Sequence, residues 1–221
     1  MIYSFDVYDT AVTRVLGDPD DVFLLMREEL LRLAIALPEE LAQNFPAVRK
    51  TAEKEARKSK EKEDIVLGVI YDKMAELYGL SREQVSVLNR AEVDIERRVV
   101  YPIDWTKKQL ERLRGEGAKL VFVSDMYLPF SLIKDILVDA HLFREGDGLY
   151  VSSETGLTKR SGNLFRHIMQ KEGCSPGQMT HCGDNLYSDI CVPSKLGINI
   201  YGTSGKELER LLRVCARHGL R

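Results

Sequence analysis

The sequence is poor in the features that would mark several common protein classes. It has four cysteines (Cys174, Cys182, Cys191 and Cys215), all in the last quarter and none in a CxxC pair. That spacing argues against a disulfide framework or a zinc knuckle. Neither is needed, because a 221-residue chain buries roughly 70% of the surface its unfolded form exposes. Cys182 reads as a small core residue of a strand, and a reducing cytoplasm is the expected setting. No apolar run approaches the roughly 18 residues needed to cross a bilayer. The start, MIYSFDVYDT, has neither a basic nor an apolar leader segment. Charge of one sign is also missing: 32 basic residues face 34 acidic ones, a formal charge of −2. A general nucleic-acid binder or polybasic membrane binder would be more lopsided. The expectation is therefore a cytoplasmic protein with no nucleic-acid or membrane partner, although a small basic pocket for an anion remains compatible with balance. With 44% apolar and 30% charged residues, no repeat and no Gly/Ser/Pro-rich linker, the chain reads as globular.

The pattern changes character twice. Residues 1–7 read as a strand. Residues 18–100 hold almost nothing strand-like and read as about four helices. Asp18-Pro19 is a helix start, and the apolar residues of 22–37 are dense. A charged helical stretch covers 38–62, with Pro46 either breaking it or opening its second part. A third helix covers 63–79. Ser81 with Gln84 forms a capping-box pattern ahead of a fourth, which puts Val85, Leu88, Ile95 and Val99 on one face. From 101 onward helices (106–116, 129–140, 161–172, 185–196) alternate with strands (120–125, 149–153, 179–182, 198–202). Ser204 and Glu207 suggest a last capped helix. The class is thus α/β: a Rossmann-like parallel sheet flanked by helices, with an inserted all-helical domain. The core is expected over 1–16 and 101–221, and the helical insert over 17–100.

Ligands in open α/β sheets sit beyond the carboxyl ends of the strands, so the residues there carry the functional reading. The first strand ends in Asp6-Val7-Tyr8-Asp9-Thr10. A carboxylate at a strand tip suits a nucleophile or a hard-cation ligand, though Asp and Thr also favour turns. The second ends in Ser124-Asp125, a hydroxyl that could hold a phosphoryl oxygen and an acid that could cap the next helix. After the third comes Thr158-Lys159-Arg160-Ser161-Gly162, where a lysine could neutralise developing charge. After the fourth, Asp184 and Asp189 stand five apart across a strand-to-helix turn and can meet around one Mg²⁺.

This ordered set resembles the haloacid dehalogenase-like (HAD) superfamily. FDVYDT resembles its first motif, with Asp6 as nucleophile; VFVSD its second, with Ser124; KRSGNLF its third, with Lys159; and GDNLYSD its fourth, with Asp184 and Asp189. The insert resembles the family's C1-type cap. SFDVYDT with SDMYLP looks most like a subgroup of predicted hydrolases associated with surface-polysaccharide machinery. The resemblance implies a Mg²⁺-dependent phosphatase or phosphotransferase acting on a small phosphorylated metabolite through an aspartyl-phosphate on Asp6. It implies Asp6, Tyr8 (through its carbonyl), Asp184 and Asp189 at the metal, and Thr10, Ser124, Asp125 and Lys159 around the phosphoryl group. Asp6, Asp9, Ser124 and Lys159 are the expected catalytic residues.

One departure bears on mechanism. Family phosphatases carry an acid two residues after the nucleophile; here that residue is Tyr8, and the extra acid, Asp9, comes one later. Tyrosine there resembles the dehalogenase branch, which works without metal, whereas the paired acids of the fourth motif resemble the Mg²⁺ version and weigh more. The alternatives are a metal-independent 2-haloacid dehalogenase using Asp6, or a catalytically weak binding module linked to surface-polysaccharide synthesis. Elsewhere, Arg49–Asp64 reads as a solvated charged helix face laced with i,i+4 pairs. Trp105 reads as core, and His141, His167, His181 and His218 as structural.

Overall fold

The computed structural model describes residues 1–33, 35–58, 61–202 and 213. The terminal helix expected after Ser204, with Cys215 and His218, lies outside the described residues.

Strand β1 (Ile2–Asp6) is the axis of the sheet. It pairs in parallel with β4 (Lys119–Ser124) on one side and with β6 (Met179–Cys182) on the other. Outside these lie β5 (Gly148–Val151) and β7 (Asn199–Ile200), giving the order β5-β4-β1-β6-β7. These are the five strands the alternating pattern predicts. They are apolar because helices cover both faces of a parallel sheet. Register does the functional work. Asp6 lies opposite Val123, Phe5 opposite Cys182, and Ser124 opposite Val151, so the four connections that follow β1, β4, β5 and β6 leave the sheet at one edge. The chain runs outward in both directions from β1, which places a crevice at that edge.

After β1 the chain turns tightly, the Ala11 and Val12 amides both donating to the Val7 carbonyl. It then enters β2 (Val12–Arg14), antiparallel to β3 (Val100–Pro102). This ribbon, too short to leave a sequence signal, carries the chain out and back. Between its strands lie a 3-10 turn (Pro19–Asp21) and helices α1 (Val22–Leu33), α2 (Glu39–Gln43), α3 (Phe45–Lys58), α4 (Leu67–Tyr78) and α5 (Arg82–Val99). Asp18 caps the turn and Ser81–Gln84 forms its capping box, both as expected. Pro46 falls at the second position of α3, where a missing N–H costs nothing. Helix α4 begins at Leu67 rather than near 63, because Glu63 and Asp64 are engaged with Gly156, Thr158 and Ser152 and Val66 is extended. In the second half, α6 (Asp104–Gly115), α7 (Phe130–Asp139), α8 (Ser152–Thr155), α9 (Asn163–Glu172) and α10 (Val192–Lys195) connect the strands.

Three expectations are corrected. Trp105 is 51% exposed, because α6 buries the stripe Thr106, Leu110 and Leu113, and residue 105 lies off it. Arg49 is not solvated: its side chain is wholly buried, and Nε and one terminal nitrogen donate to Glu92 Oε2 and Oε1 at 2.9 and 2.8 Å. Tyr71 donates to the same carboxylate at 2.6 Å, and the guanidinium lies over the rings of Phe23 and Tyr127. The i,i+4 pairs do form, from Arg49 and Arg57 to Glu53. Finally, Cys174 and Cys182 carry free thiols, but Cys191 is disulfide-bonded.

A buried ion pair is costly to break, because the surviving charge stays buried. Glu92→Ala is expected to destabilise the protein by about 3 kcal/mol in urea unfolding.

Candidate active site

The crevice floor is a compact set of buried charges. Asp6 is 6% exposed, Lys159 3% and Asp189 1%. The Lys159 ammonium donates to Asp6 Oδ1, and to Asp189 Oδ1 at 2.7 Å. One oxygen each from Asp6, Asp184 and Asp189 lies within 4.8 Å of the others. Three separate strand tips therefore deliver their side chains to one point.

Local structure explains each placement. Asp6 is the last residue of β1. Asp189 sits in a single wide π turn (Leu186–Cys191) that opens directly after β6. Such turns recur at functional sites. The Asn185 side chain caps it, accepting the Tyr187 and Ser188 amides at 3.0 Å each. The Asn185 amide in turn donates to Asp189 Oδ2 at 3.0 Å. Gly183 is required by contact: a Cβ there would lie 2.4 Å from Asp189 Cγ. Asp125 does not cap the helix after it. It accepts the amides of Lys159 (2.7 Å) and Arg160 (3.2 Å), and so holds the lysine loop in place.

Burial governs the electrostatics. It pushes the Asp6 carboxyl up, to about 7; Lys159 opposes this, while Asp189 and Asp184 add to it. Burial would also raise Asp189, but the hydrogen bond from His181 and the Lys159 charge overcome it and hold that group down, at about 2. Burial would lower Lys159, yet the facing Asp6, Asp189 and Asp125 keep it well above its ordinary value. Asp184, more open, is raised by partial burial and by Asp189.

The other expected residues are placed as follows. Ser124 is buried at the end of β4. Thr10 donates to Asp184 Oδ1 at 3.3 Å. Asp9 has a left-handed backbone (φ 58°), is exposed, and accepts the Thr13 hydroxyl at 2.7 Å, so it lies outside the carboxylate group. The Tyr8 ring is buried under the Arg14 guanidinium, 4.3 Å from its centroid, and its hydroxyl has no hydrogen-bond partner among the described residues. Arg14 is itself paired with buried Glu96 at 2.9 Å. Burial, then Glu96, drives the Tyr8 phenol far above its ordinary pKa.

Sequence reasoning missed the support beneath Asp189. His181 is fully buried, its Nε2 3.1 Å from Asp189 Oδ1 and its Nδ1 2.7 Å from Ser4 Oγ. Burial holds His181 below its ordinary pKa, hence neutral. A neutral imidazole that donates from Nε2 must accept at Nδ1, and the Ser4 hydroxyl supplies that proton. Ser4 and His181 are register partners on adjacent strands. The only signal was a polar residue inside each of two largely apolar strands, and pairing Ser4 with His181 needs the register.

No family pattern and no curated protein sequence matches this chain. Solved structures do. YfnB from Bacillus subtilis, described as a HAD-hydrolase bound to magnesium, is 18% identical over 96% of this chain and 98% of its own, with a TM-score of 0.56. The HAD-family enzyme BT-2542 from Bacteroides thetaiotaomicron is 16% identical over 94% and 97%, with a TM-score of 0.59, and has also been solved with magnesium and inorganic phosphate. The L-2-haloacid dehalogenase PA0810 is 18% identical over 90% and 82%, with a TM-score of 0.57. The chain therefore has the fold of the HAD-family hydrolases, as its four motifs lead one to expect.

Two outcomes follow from the geometry. Gly183→Ala, which displaces Asp189, is expected to weaken Mg²⁺ binding about tenfold or more by calorimetry. A cation held among the three carboxylates would compete with the proton for Asp6, whose carboxyl burial raises to about 7. Mg²⁺ affinity should therefore rise with pH up to about 7 and level off above it.

Proposed function

We propose that the protein is a Mg²⁺-dependent phosphatase of the HAD type, acting on a small phosphorylated metabolite through Asp6. The observation that carries this reading is the charge of the site. Asp6, Asp184 and Asp189 bring three negative charges against the single positive charge of Lys159, a sum that one divalent cation neutralises. Carboxylate oxygens are hard donors suited to Mg²⁺. Asp6, Asp184 and the Tyr8 carbonyl would hold the ion, with Asp189 assisting. Bound there, it supplies charge neutralisation to the phosphoryl oxygens.

The remaining work belongs to the chain. An Asp6 oxygen attacks phosphorus as the bond to the leaving oxygen breaks, giving an aspartyl-phosphate. Water then attacks the same phosphorus, inorganic phosphate departs and the carboxylate is restored. Ser124 and Lys159 hold the phosphoryl oxygens, and such transfers depend mainly on positioning and charge. Asp125 and Thr10 serve indirectly, through the lysine loop and Asp184. The leaving oxygen lacks its usual acid. The Tyr8 phenol is too weak an acid, and Asp9 must give up Thr13 to serve. The rate should then depend steeply on the acidity of the leaving group.

With Mg²⁺, para-nitrophenyl phosphate is expected to turn over about 100-fold faster than glycerol phosphate, since general acid catalysis contributes about that much or more. EDTA and Asp6→Asn should each abolish turnover, and Asp9→Asn should leave kcat within about threefold. A loss of about 100-fold in Asp9→Asn would instead make Asp9 the acid/base. A second reading rests on Tyr8, the residue shared with the dehalogenase pattern. Halide release from a 2-haloacid in the presence of EDTA would replace the phosphatase reading.

A further inference from the structure

The loop that carries Lys159 is a short turn, in which the Gly162 amide donates to the Lys159 carbonyl at 2.9 Å and the Leu164 amide to the Thr158 carbonyl at 3.1 Å. It is bracketed by Gly156 and Gly162, both left-handed (φ 73° and 82°), and has no regular structure between Leu157 and Gly162. It is held from two sides. From the sheet domain Asp125 accepts two of its amides. From the helical insert Glu63 reaches both flanks of Lys159. Glu63 Oε2 accepts the Thr158 amide at 2.8 Å, the Thr158 hydroxyl at 3.1 Å and the Ser161 hydroxyl at 2.5 Å. Oε1 accepts the Asn163 side-chain amide, and the Glu63 amide donates to the Gly156 carbonyl at 3.0 Å. These donors hold the carboxyl below its ordinary pKa against the opposing effect of its partial burial. Beside it, Asp64 accepts the Ser152 hydroxyl at 2.6 Å. The Lys62 side chain also lies against this turn: a Cβ on Gly156 would fall 2.5 Å from Lys62 Cδ.

We propose that Glu63 is a positioning residue for Lys159, through which the seat of the helical insert on the sheet domain sets where the ammonium stands relative to Asp6. Lys159 is anchored by its backbone at one end and by Asp6 and Asp189 at the other. Asp6 and Asp189 take two of the three ammonium donors and leave one for a phosphoryl oxygen, so the backbone anchor sets how the ammonium meets that group, and a misplacement of about 1 Å can cost about 100-fold in rate. The insert then helps to fix the loop that carries Lys159. The kinetic consequence rests on the phosphatase reading; the mechanical one does not.

Two measurements on the full chain separate these. In the metal-free protein, amide hydrogen exchange over residues 157–162 is expected to speed up about tenfold or more in Glu63→Ala and less in Glu63→Gln. The control is Arg97→Ala, which removes a different link between insert and sheet domain, from α5 to Asp139 on α7. It should leave that exchange within about twofold. With para-nitrophenyl phosphate and Mg²⁺, Glu63→Ala should lower kcat about tenfold with KM changed less than about threefold. Glu63→Gln should keep at least about a third of wild-type kcat. Unchanged exchange in Glu63→Ala, or an equal rise in Arg97→Ala, overturns the proposal. If the wild type hydrolyses no phosphate ester, the phosphatase reading fails and the exchange comparison still decides the role of Glu63.

Discussion

A lysine ammonium buried between two buried aspartates is the constraint around which the rest of this structure is arranged. None of the three charges is tolerable alone at 1–6% exposure. Together they remain net negative, and Asp184 adds to the excess. Everything near them serves to hold those side chains where they compensate one another. Asp189 is fixed by His181 and by the Asn185 amide, Lys159 by Asp125, and Asp184 by Thr10. The space Asp189 needs exists because residue 183 is glycine. An arrangement with this excess of negative charge suits a cation, which the proposed phosphoryl transfer calls for.

The helical insert solves a second buried-charge problem by different means. Arg49, Glu92 and Tyr71 form a closed hydrogen-bonded group inside it, and Arg14 with Glu96 forms another beside Tyr8. These pairs satisfy their own charges and leave the apolar stripes of α1, α3, α4 and α5 to pack. The contacts of Glu63 and Asp64 differ, because their partners lie in the sheet domain and flank a residue of the site. The two parts of the chain are thus joined where the chemistry is expected, as well as through the β2–β3 ribbon.

Much of this was legible from residue order. Strands separated by helices are a local pattern, so the five strands could be read directly, as could the placing of Asp6 and Ser124 at strand ends and of Lys159 and Asp184 in the connections that follow. Arg49 could not, since a charged helix shows the same composition whether one arginine faces solvent or a buried glutamate 43 residues away. Trp105 misled because a large aromatic is usually core, and only the helix phase set by Thr106, Leu110 and Leu113 turns it outward. His181 and Ser4 carried no spacing signal, since they meet through strand register across 177 residues.

The sequence by itself determined the class of fold, the helical insert and which residue types stand at the strand tips. Hydrophobic periodicity and turn chemistry act over a few residues and survive without neighbours. Only the tertiary structure decided which carboxylates share the lysine, that Asp9 faces Thr13, that Asp125 holds a backbone loop, and that Glu63 reaches across to that loop. Those outcomes depend on distances between segments far apart in the chain, and on a desolvation that exists only once the sheet and helices have closed around them.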